Sequence, residues 1–126
     1  MLKNMLAFLG FSSLIVLLLA GCGGGTANGP NPVHMSATQF TQSSITIKKG
    51  ESITLVNDNA FVSHTIANGT WENNSAKAGR EAGAPAINNV QIGSSSSTTV
   101  GPFPIAGTFH LYCTVHVGMN LTVIVE

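Results

Sequence analysis

Short segments of alternating apolar and polar residues characterise the chain beyond residue 33. Apolar side chains occupy every second position in segments 45–47, 53–55, 109–113 and 121–125. This period of two is typical of half-buried β-strands, because successive side chains point to opposite faces of a sheet. Turn-forming residues separate such segments at spacings of about ten residues, so the pattern predicts an all-β fold, a two-sheet β-sandwich of seven or eight strands.

The first half of the chain has less regular patterns. Residues 34–40 are predicted to form an edge strand, and residues 45–55 a β-hairpin that turns at 49–51. Residues 71–85 are rich in Asn, Ala, Gly and isolated charges. This composition predicts a long loop with a helical turn at 75–80, and no long amphipathic helix is evident anywhere in the sequence.

The first residues predict export rather than a part of the fold. Lys3 precedes a nearly unbroken apolar run over residues 5–20, which has about the length of a signal-peptide core and is short for a membrane span. Residues 19–22, Leu-Ala-Gly-Cys, resemble a bacterial lipobox, in which the cysteine, here Cys22, becomes the lipid-carrying N-terminus. An ordinary cleaved signal peptide and a spanning helix are the alternatives.

The composition divides the chain into three parts. Residues 1–21 are predicted to be a lipoprotein signal peptide, residues 22–33 the lipidated cysteine with a flexible Gly- and Pro-rich tether, and residues 34–126 one folded domain. We therefore expect an exported protein, anchored by its lipid to a bacterial membrane and facing the periplasm or the cell exterior.

The charge balance limits the kinds of partner. Once the predicted signal peptide is set aside, four basic and five acidic side chains remain, so the net charge is near −1. Such sparse charge disfavours nucleic-acid binding and strong electrostatic steering. We expect a monomer that contacts other proteins mainly through apolar surface.

The two cysteines of the chain have different predicted roles. If Cys22 carries a lipid, Cys113 is the only remaining thiol and no intrachain disulfide can form. An unpaired thiol is a liability in the oxidising environment outside the cytoplasm. A metal ion is therefore the obvious partner for Cys113.

A thiol, an imidazole and a thioether follow one another near the C-terminus at intervals of three residues, as Cys113, His116 and Met119. They lie between two alternating segments that predict antiparallel strands joined by a short loop. A thiolate and a neutral imidazole with a weak thioether suit copper, and two histidines, one cysteine and a distant methionine form the blue-copper set. The loop lacks only the second histidine.

Three histidines are candidates for the missing donor. His110 alternates with the face of Cys113 and should point away from it. His34 lies at the N-terminal edge of the domain, beside the tether. His64 follows a strand break, on a loop that a sandwich can bring to the same end as Cys113, and is the predicted ligand.

Two segments of the sequence resemble a known family. Residues 57–65 (NDNAFVSHT) and 107–119 (GTFHLYCTVHVGM) are similar to the plastocyanin/azurin (cupredoxin) family, and the likeness extends over most of residues 34–126. The Cys-x-x-His-x-x-Met spacing resembles the short ligand loop of amicyanins. The resemblance implies a Greek-key sandwich that holds one mononuclear type 1 copper ion. The implied ligands are His64, Cys113 and His116 in the equatorial plane and Met119 in the axial position.

Three polar residues have predicted supporting roles. Thr65 and Thr114 flank ligands and are predicted either to donate hydrogen bonds to the Cys113 sulfur or to stiffen the loops. Asn57 is predicted to tie the two ligand loops together.

The outer edge of His116 is predicted to lie nearest the surface, within an apolar patch that serves as electron port and docking face. Tyr112, next to Cys113 but on the other face of its strand, is a second candidate path. The patch consists of Phe61, Val62, Val115 and Val117.

The resemblance implies an electron carrier rather than an enzyme. Single electrons would pass between redox proteins, such as a cytochrome, an oxidase or a reductase, outside the cytoplasmic membrane. Copper sequestration or delivery is the alternative, and a metal-free surface sandwich is a third. Zinc is disfavoured because Met119 is a poor zinc ligand and no carboxylate completes a tetrahedron. No catalytic grouping of carboxylates or of Ser, His and Asp stands out.

Overall fold

Nine β-strands form the regular structure of residues 29–126, the part of the chain that the computed structural model describes. The predicted signal peptide, the lipidation of Cys22 and most of the tether lie outside these residues. No described segment forms a helix that is long and apolar enough to cross a membrane. The strands are β1 (Pro32–Met35), β2 (Ser44–Ile47), β3 (Ile53–Asn57), β4 (His64–Glu72), β5 (Ser75–Ala78), β6 (Val90–Ile92), β7 (Ser97–Val100), β8 (Gly107–Cys113) and β9 (Asn120–Val125).

The strands form two sheets. The smaller sheet has the order β1-β3-β7, and the larger has the order β2-β9-β8-β4-β5, with β6 also paired to β4. Side chains from both sheets, such as Leu55 in β3 and Leu121 in β9, are fully buried in one core. Burial of each such side chain stabilises the fold by about 1.5–3 kcal/mol. The predicted two-sheet β-sandwich is therefore confirmed, with one strand more than expected.

The pair β8–β9 carries the alternation that the sequence predicts. In β8 the side chains of Phe109, Leu111 and Cys113 are buried, and every second residue of β9 is buried as well. The antiparallel register places Leu111 opposite Leu121. Because β8 lies between β9 and β4, its last residue, Cys113, reaches one end of the larger sheet in a fully enclosed position.

The predicted hairpin over residues 45–55 is wrong. The turn exists, since the amide of Glu51 donates to the carbonyl of Lys48 at 3.0 Å. However, β2 pairs in parallel with β9, and β3 pairs in parallel with β1, so the turn carries the chain from one sheet to the other. Alternation shows that a segment has one buried face, but it does not specify which strand lies beside it.

The N-terminal boundary of the domain also differs from the prediction. Residues 34–40 do not form one strand. Strand β1 ends at Met35, and Phe40 pairs back with Met35 through a single isolated bridge. The first strand begins earlier than expected, at Pro32, and Val33 is fully buried. The last two residues of the predicted tether thus belong to the sandwich.

The predicted helical turn at 75–80 is wrong as well. Strand β4 extends to Glu72 and turns back as β5, through Asn73 and Asn74 at φ angles of 48° and 62°. Positive φ at both central residues is the requirement of a two-residue type I′ hairpin turn, and Asn tolerates it well. The Asn-Asn pair was the available signal for this hairpin.

Candidate metal centre

His64 is the first residue of β4, and its side chain is fully buried. Its Nε2 lies 2.9 Å from the carbonyl oxygen of Ser36, which can only accept a hydrogen bond. Nε2 therefore carries the proton, and Nδ1 keeps a free lone pair. A metal-binding histidine is oriented in just this way when its other nitrogen donates to a fixed acceptor.

The free nitrogen of His64 faces a thiol and a second imidazole. Its Nδ1 lies 3.7 Å from the Sγ of Cys113, and the Nδ1 of His116 lies 3.3 Å from the same sulfur. All three donor atoms are within 4.8 Å of one another. Donors that share a single ion with bonds of about 2.0–2.3 Å are spaced in this way, and the two nitrogens and one sulfur suit copper. The donor set therefore fits one copper ion.

The loop that carries these donors is closed on itself by backbone hydrogen bonds. The amide of Cys113 donates to the carbonyl of Met119 at 3.0 Å, and the amide of Met119 donates to the carbonyl of His116 at 3.2 Å. Met119 is fully buried, whereas His116 is partly exposed. Backbone hydrogen bonds therefore hold Cys113 and Met119, the two ends of the loop, together without requiring a metal ion.

Gly118 gives the loop its shape. Its φ of +79° lies in the left-handed region, and a Cβ at this position would contact nothing within 4 Å. Only backbone strain opposes a side chain there, so Gly118→Ala is expected to lower the free energy of unfolding by about 1 kcal/mol. Denaturant unfolding measures this loss. The matched control is Gly79→Ala, which also meets open space and has no positive φ. An equal loss in both variants would contradict this explanation.

Burial lowers the pKa of His64 below its ordinary value of 6.5. Desolvation of the charged ring is the main cause, and the nearby His116 adds to it, while the hydrogen bond to Ser36 acts in the opposite direction. The metal-free site therefore favours the neutral imidazole, which is the form that binds metal.

This lowered pKa makes the stability of the metal-free protein depend on pH. Below pH 6.5 the unfolded chain protonates His64 while the folded chain does not, so the free energy of unfolding falls until the lowered pKa is reached. We expect the native protein to lose more stability than His64→Gln between about pH 7.5 and 5. Unfolding curves recorded with chelator present would measure the difference. A difference that is constant with pH would refute this origin.

The other two histidines lie outside the cluster, in surface pairs. The Nδ1 of His34 lies 2.7 Å from a carboxylate oxygen of Asp58, and that of His110 lies 2.6 Å from Glu81. The prediction that His110 points away from the face of Cys113 agrees with this arrangement. Of the candidate histidines, the structure brings only His64 to Cys113.

Asn57 joins a different pair of loops from the one predicted. Its buried side-chain amide donates to the carbonyls of Val62 at 2.7 Å and Gly93 at 3.0 Å, and its Oδ1 accepts from the amide of Asn59 at 3.0 Å. Asn57 thus ties the loop before His64 to the β6–β7 turn. It makes no hydrogen bond to the loop after Cys113 among the described contacts.

Thr65 and Thr114 connect the two ligand segments through their backbones. The amide of Thr114 donates to the carbonyl of Thr65 at 2.8 Å, directly beside His64 and Cys113. Within residues 29–126, neither threonine side chain hydrogen-bonds the Cys113 sulfur, whose polar neighbours are the two imidazoles. The pair holds β4 and the loop together without contacting the sulfur.

Three residues of the predicted apolar patch are exposed. Phe61 is 95% exposed, Val115 61% and Val117 56%, while Val62 is partly buried. Tyr112 does not extend this surface, because it is 5% exposed and packs edge-on against the ring of Trp71. Tyr112 is buried because the β4–β5 hairpin covers it, and that hairpin was not predicted.

Sequence reasoning missed three residues around the centre, two that bond a donor residue directly and one that acts through Trp71. Ser36 acts through its backbone carbonyl, for which no side-chain pattern exists. Trp71 donates from its indole nitrogen to the carbonyl of Cys113 at 2.8 Å, and Asn120 binds the backbone of Trp71. The position of Asn120 directly after Met119 was the only available sign.

Comparisons with solved structures show that this chain shares the fold of amicyanins. Amicyanin from Paracoccus versutus (Thiobacillus versutus) is 23% identical, with a TM-score of 0.57 over 76% of this chain and 80% of its own. An amicyanin variant in its reduced Cu(I) form at pH 4 is 22% identical and an oxidised amicyanin variant 20% identical, each with a TM-score of 0.59 over 81% of this chain and 87% of its own. No significant match was found among curated proteins.

The sequence family is identified by a separate match. Residues 28–126 match the family described as copper binding proteins, plastocyanin/azurin family. The match covers all nine described strands and the three clustered donors. The copper binding named in the family's description agrees with the predicted cofactor, one copper ion. The chain therefore belongs to the plastocyanin/azurin, or cupredoxin, family of copper binding proteins.

Proposed function

We propose that this protein carries single electrons through one type 1 copper ion held by His64, Cys113, His116 and Met119. The observation that supports this most strongly is the cluster of two imidazole nitrogens around one buried thiol, with His64 already oriented by Ser36. The copper ion would supply reversible one-electron chemistry when bound. The protein would supply donors whose positions are fixed in advance.

Fixed donors favour electron transfer over metal transfer. Electron exchange is fast when little moves between the oxidised and reduced states, and here strand ends and backbone hydrogen bonds restrain each donor. Cys113 and His64 are both fully buried, so an acceptor of copper ions has no direct access to them. Amicyanins of the same fold have been solved in oxidised and Cu(I) forms. We therefore favour electron transfer over copper sequestration or delivery.

Loading the metal-free protein with one equivalent of Cu(II) tests this function. We expect an intense visible thiolate-to-copper band, narrow copper hyperfine splitting in the electron-spin spectrum, and reversible bleaching by a one-electron reductant. A colourless Cu(II) complex would overturn the proposal. Reversible colour accompanied by no release of copper to a metal-free acceptor supports electron transfer. Rapid release to that acceptor would support delivery instead.

The exposed apolar residues next to the centre are the proposed docking surface. Val115 and Val117 flank His116, which is the partly exposed donor, and Phe61 precedes His64 on the other ligand loop. The two imidazole rings are 4.9 Å apart, so both loops lie at one end of the sandwich. Weak, transient redox encounters use small interfaces of this kind. Electrons would enter and leave through the edge of His116.

Electron self-exchange between two copies tests the docking surface without a partner. Val117→Lys should leave the copper spectrum unchanged but slow self-exchange at least about tenfold at low ionic strength, because like charges would meet across the encounter. Nuclear magnetic resonance line broadening in mixtures of both oxidation states measures the rate. Added salt should restore much of it.

The matched control for this surface is Ile105→Lys. Ile105 is also exposed, at 45%, but it precedes β8 and so lies at the strand end opposite Cys113. Self-exchange that slows equally in both variants would assign the effect to net charge alone, and would remove the apolar patch from the mechanism.

Export and lipid anchoring through Cys22 complete the proposal. The apolar run and the Leu-Ala-Gly-Cys sequence before the domain support them. The partners would be other redox proteins, such as a cytochrome, an oxidase or a reductase, close to the same membrane. Incorporation of labelled fatty acid into the native chain but not into Cys22→Ser tests the anchor. Equal labelling of both would refute it.

A further inference from the structure

The indole of Trp71 makes a direct hydrogen bond to the backbone of Cys113. Its Nε1–H donates to the Cys113 carbonyl oxygen at 2.8 Å, across 42 residues of sequence. This contact is separate from the imidazole cluster, since it reaches Cys113 from the main-chain side. The predicted copper ligand is thus held at both its side chain and its carbonyl.

Gly69 lets the part of β4 before Trp71 lie unusually close to its neighbours. Gly69 has a φ of +135°, and a Cβ there would lie 2.3 Å from the carbonyl oxygen of Lys77 and 2.8 Å from the ring of Tyr112. Only glycine allows so close an approach. Beyond Gly69, the ring of Trp71 packs edge-on against Tyr112, with ring centroids 6.0 Å apart. The β4–β5 hairpin therefore lies over the end of β8.

The same hairpin is fastened to the far end of the ligand loop. The backbone amide of Trp71 donates to the Oδ1 of Asn120 at 2.7 Å, and the Nδ2 of Asn120 donates back to the Trp71 carbonyl at 3.1 Å. Asn120 directly follows Met119. Trp71 thus contacts both Cys113, where the ligand loop starts, and Asn120, where β9 begins.

We propose that Trp71 is a positioning residue for the metal centre, which fixes the direction of the Cys113 side chain by clamping both ends of the loop 113–120. This inference rests on the proposed function, because it requires Cys113 to bind copper. A carbonyl held by an indole N–H restrains rotation of the Cys113 backbone. The sulfur then keeps one direction toward His64 and His116 whether or not metal is bound.

The chain contains a single tryptophan, so an analogue supplied during expression replaces Trp71 alone. Benzothienylalanine has nearly the shape of tryptophan but carries sulfur in place of the N–H, and 7-azatryptophan keeps the N–H. We expect the first analogue to shift the visible copper band and to weaken Cu(II) binding by about 10–100-fold, as losses of outer partners of metal ligands do. The second analogue should behave like the native protein.

A second measurement requires no metal. In the metal-free protein, exchange of the Cys113 and Met119 amide hydrogens should accelerate by up to about tenfold with benzothienylalanine, because the loop loses one restraint. Exchange in the distant β2–β9 pair should not change. An unchanged copper band, copper affinity and amide exchange would overturn the proposal.

A purely structural role for Trp71 is distinguished by Phe103→Leu. Phe103 is a fully buried aromatic residue whose backbone binds Gly50 and Glu51, at the end of the sandwich away from Cys113. This variant should lose stability while its copper band stays native. A matching band shift in Phe103→Leu would count against Trp71 as a specific positioning residue. If the native protein itself forms no coloured Cu(II) complex, the proposed function fails first.

Discussion

Replacing Cys113 by serine is expected to abolish the intense visible colour of the Cu(II)-loaded protein. The colour depends on charge transfer from a thiolate, and the sulfur of Cys113 lies between both imidazoles, 3.7 Å from His64 and 3.3 Å from His116. A serine hydroxyl is a far harder donor. Copper affinity should fall by more than the roughly 10–100-fold that is lost with an outer partner of a ligand. Optical titration with Cu(II) measures both effects.

The other cysteine provides the matched control. Cys22→Ser removes the only other sulfur of this type while leaving the described domain unchanged. We expect this variant to keep the colour and affinity of the native protein. Retention of an intense visible band by Cys113→Ser would show that the copper ligand is elsewhere.

Asn57→Ala is expected to lower the free energy of unfolding by about 3 kcal/mol. The side chain is 1% exposed and makes three short hydrogen bonds, to Asn59, Val62 and Gly93. Its loss leaves buried polar groups without partners, at about 1–3 kcal/mol in each case, with partial relaxation. The loop before His64 should become mobile, so copper binding should weaken too. Denaturant unfolding and Cu(II) titration measure the two effects.

An exposed asparagine serves as the control for this variant. The side chain of Asn88 makes no hydrogen bond among the described residues, and Asn88→Ala should change stability by less than about 0.5 kcal/mol. Stability of Asn57→Ala close to that of Asn88→Ala would mean that water replaces the Asn57 contacts without cost.

The fold class and the donor cluster could be predicted because both depend on short-range pattern. Alternation in β8 and β9 assigns a buried face to each strand, and a loop of five residues between Cys113 and Met119 forces them together. His64 could be chosen because the loops of a sandwich lie at its two ends, so a histidine at a strand end can lie beside Cys113. The family resemblance then added the roles of the donors.

Pairing between distant segments could not be predicted in the same way. The alternation of β2 and β3 is the same whether they pair with each other or, as here, with β9 and β1. The partners of Asn57 depend on the position of the β6–β7 turn, which no single residue specifies. Trp71 reaches Cys113 from beyond Gly69, where Lys77 and Tyr112 approach the backbone closely, and a glycine in a strand has several explanations.

The carbonyl of Ser36, which orients the imidazole of His64, directly follows the first strand of the domain. The choice of starting residue for a recombinant domain consequently decides more than solubility. A chain trimmed beyond Pro32 would begin to lose the pairing of β1 with β3, and with it the anchorage of that carbonyl. Such a product could keep every donor atom and still hold copper poorly, since one ring would be free to rotate.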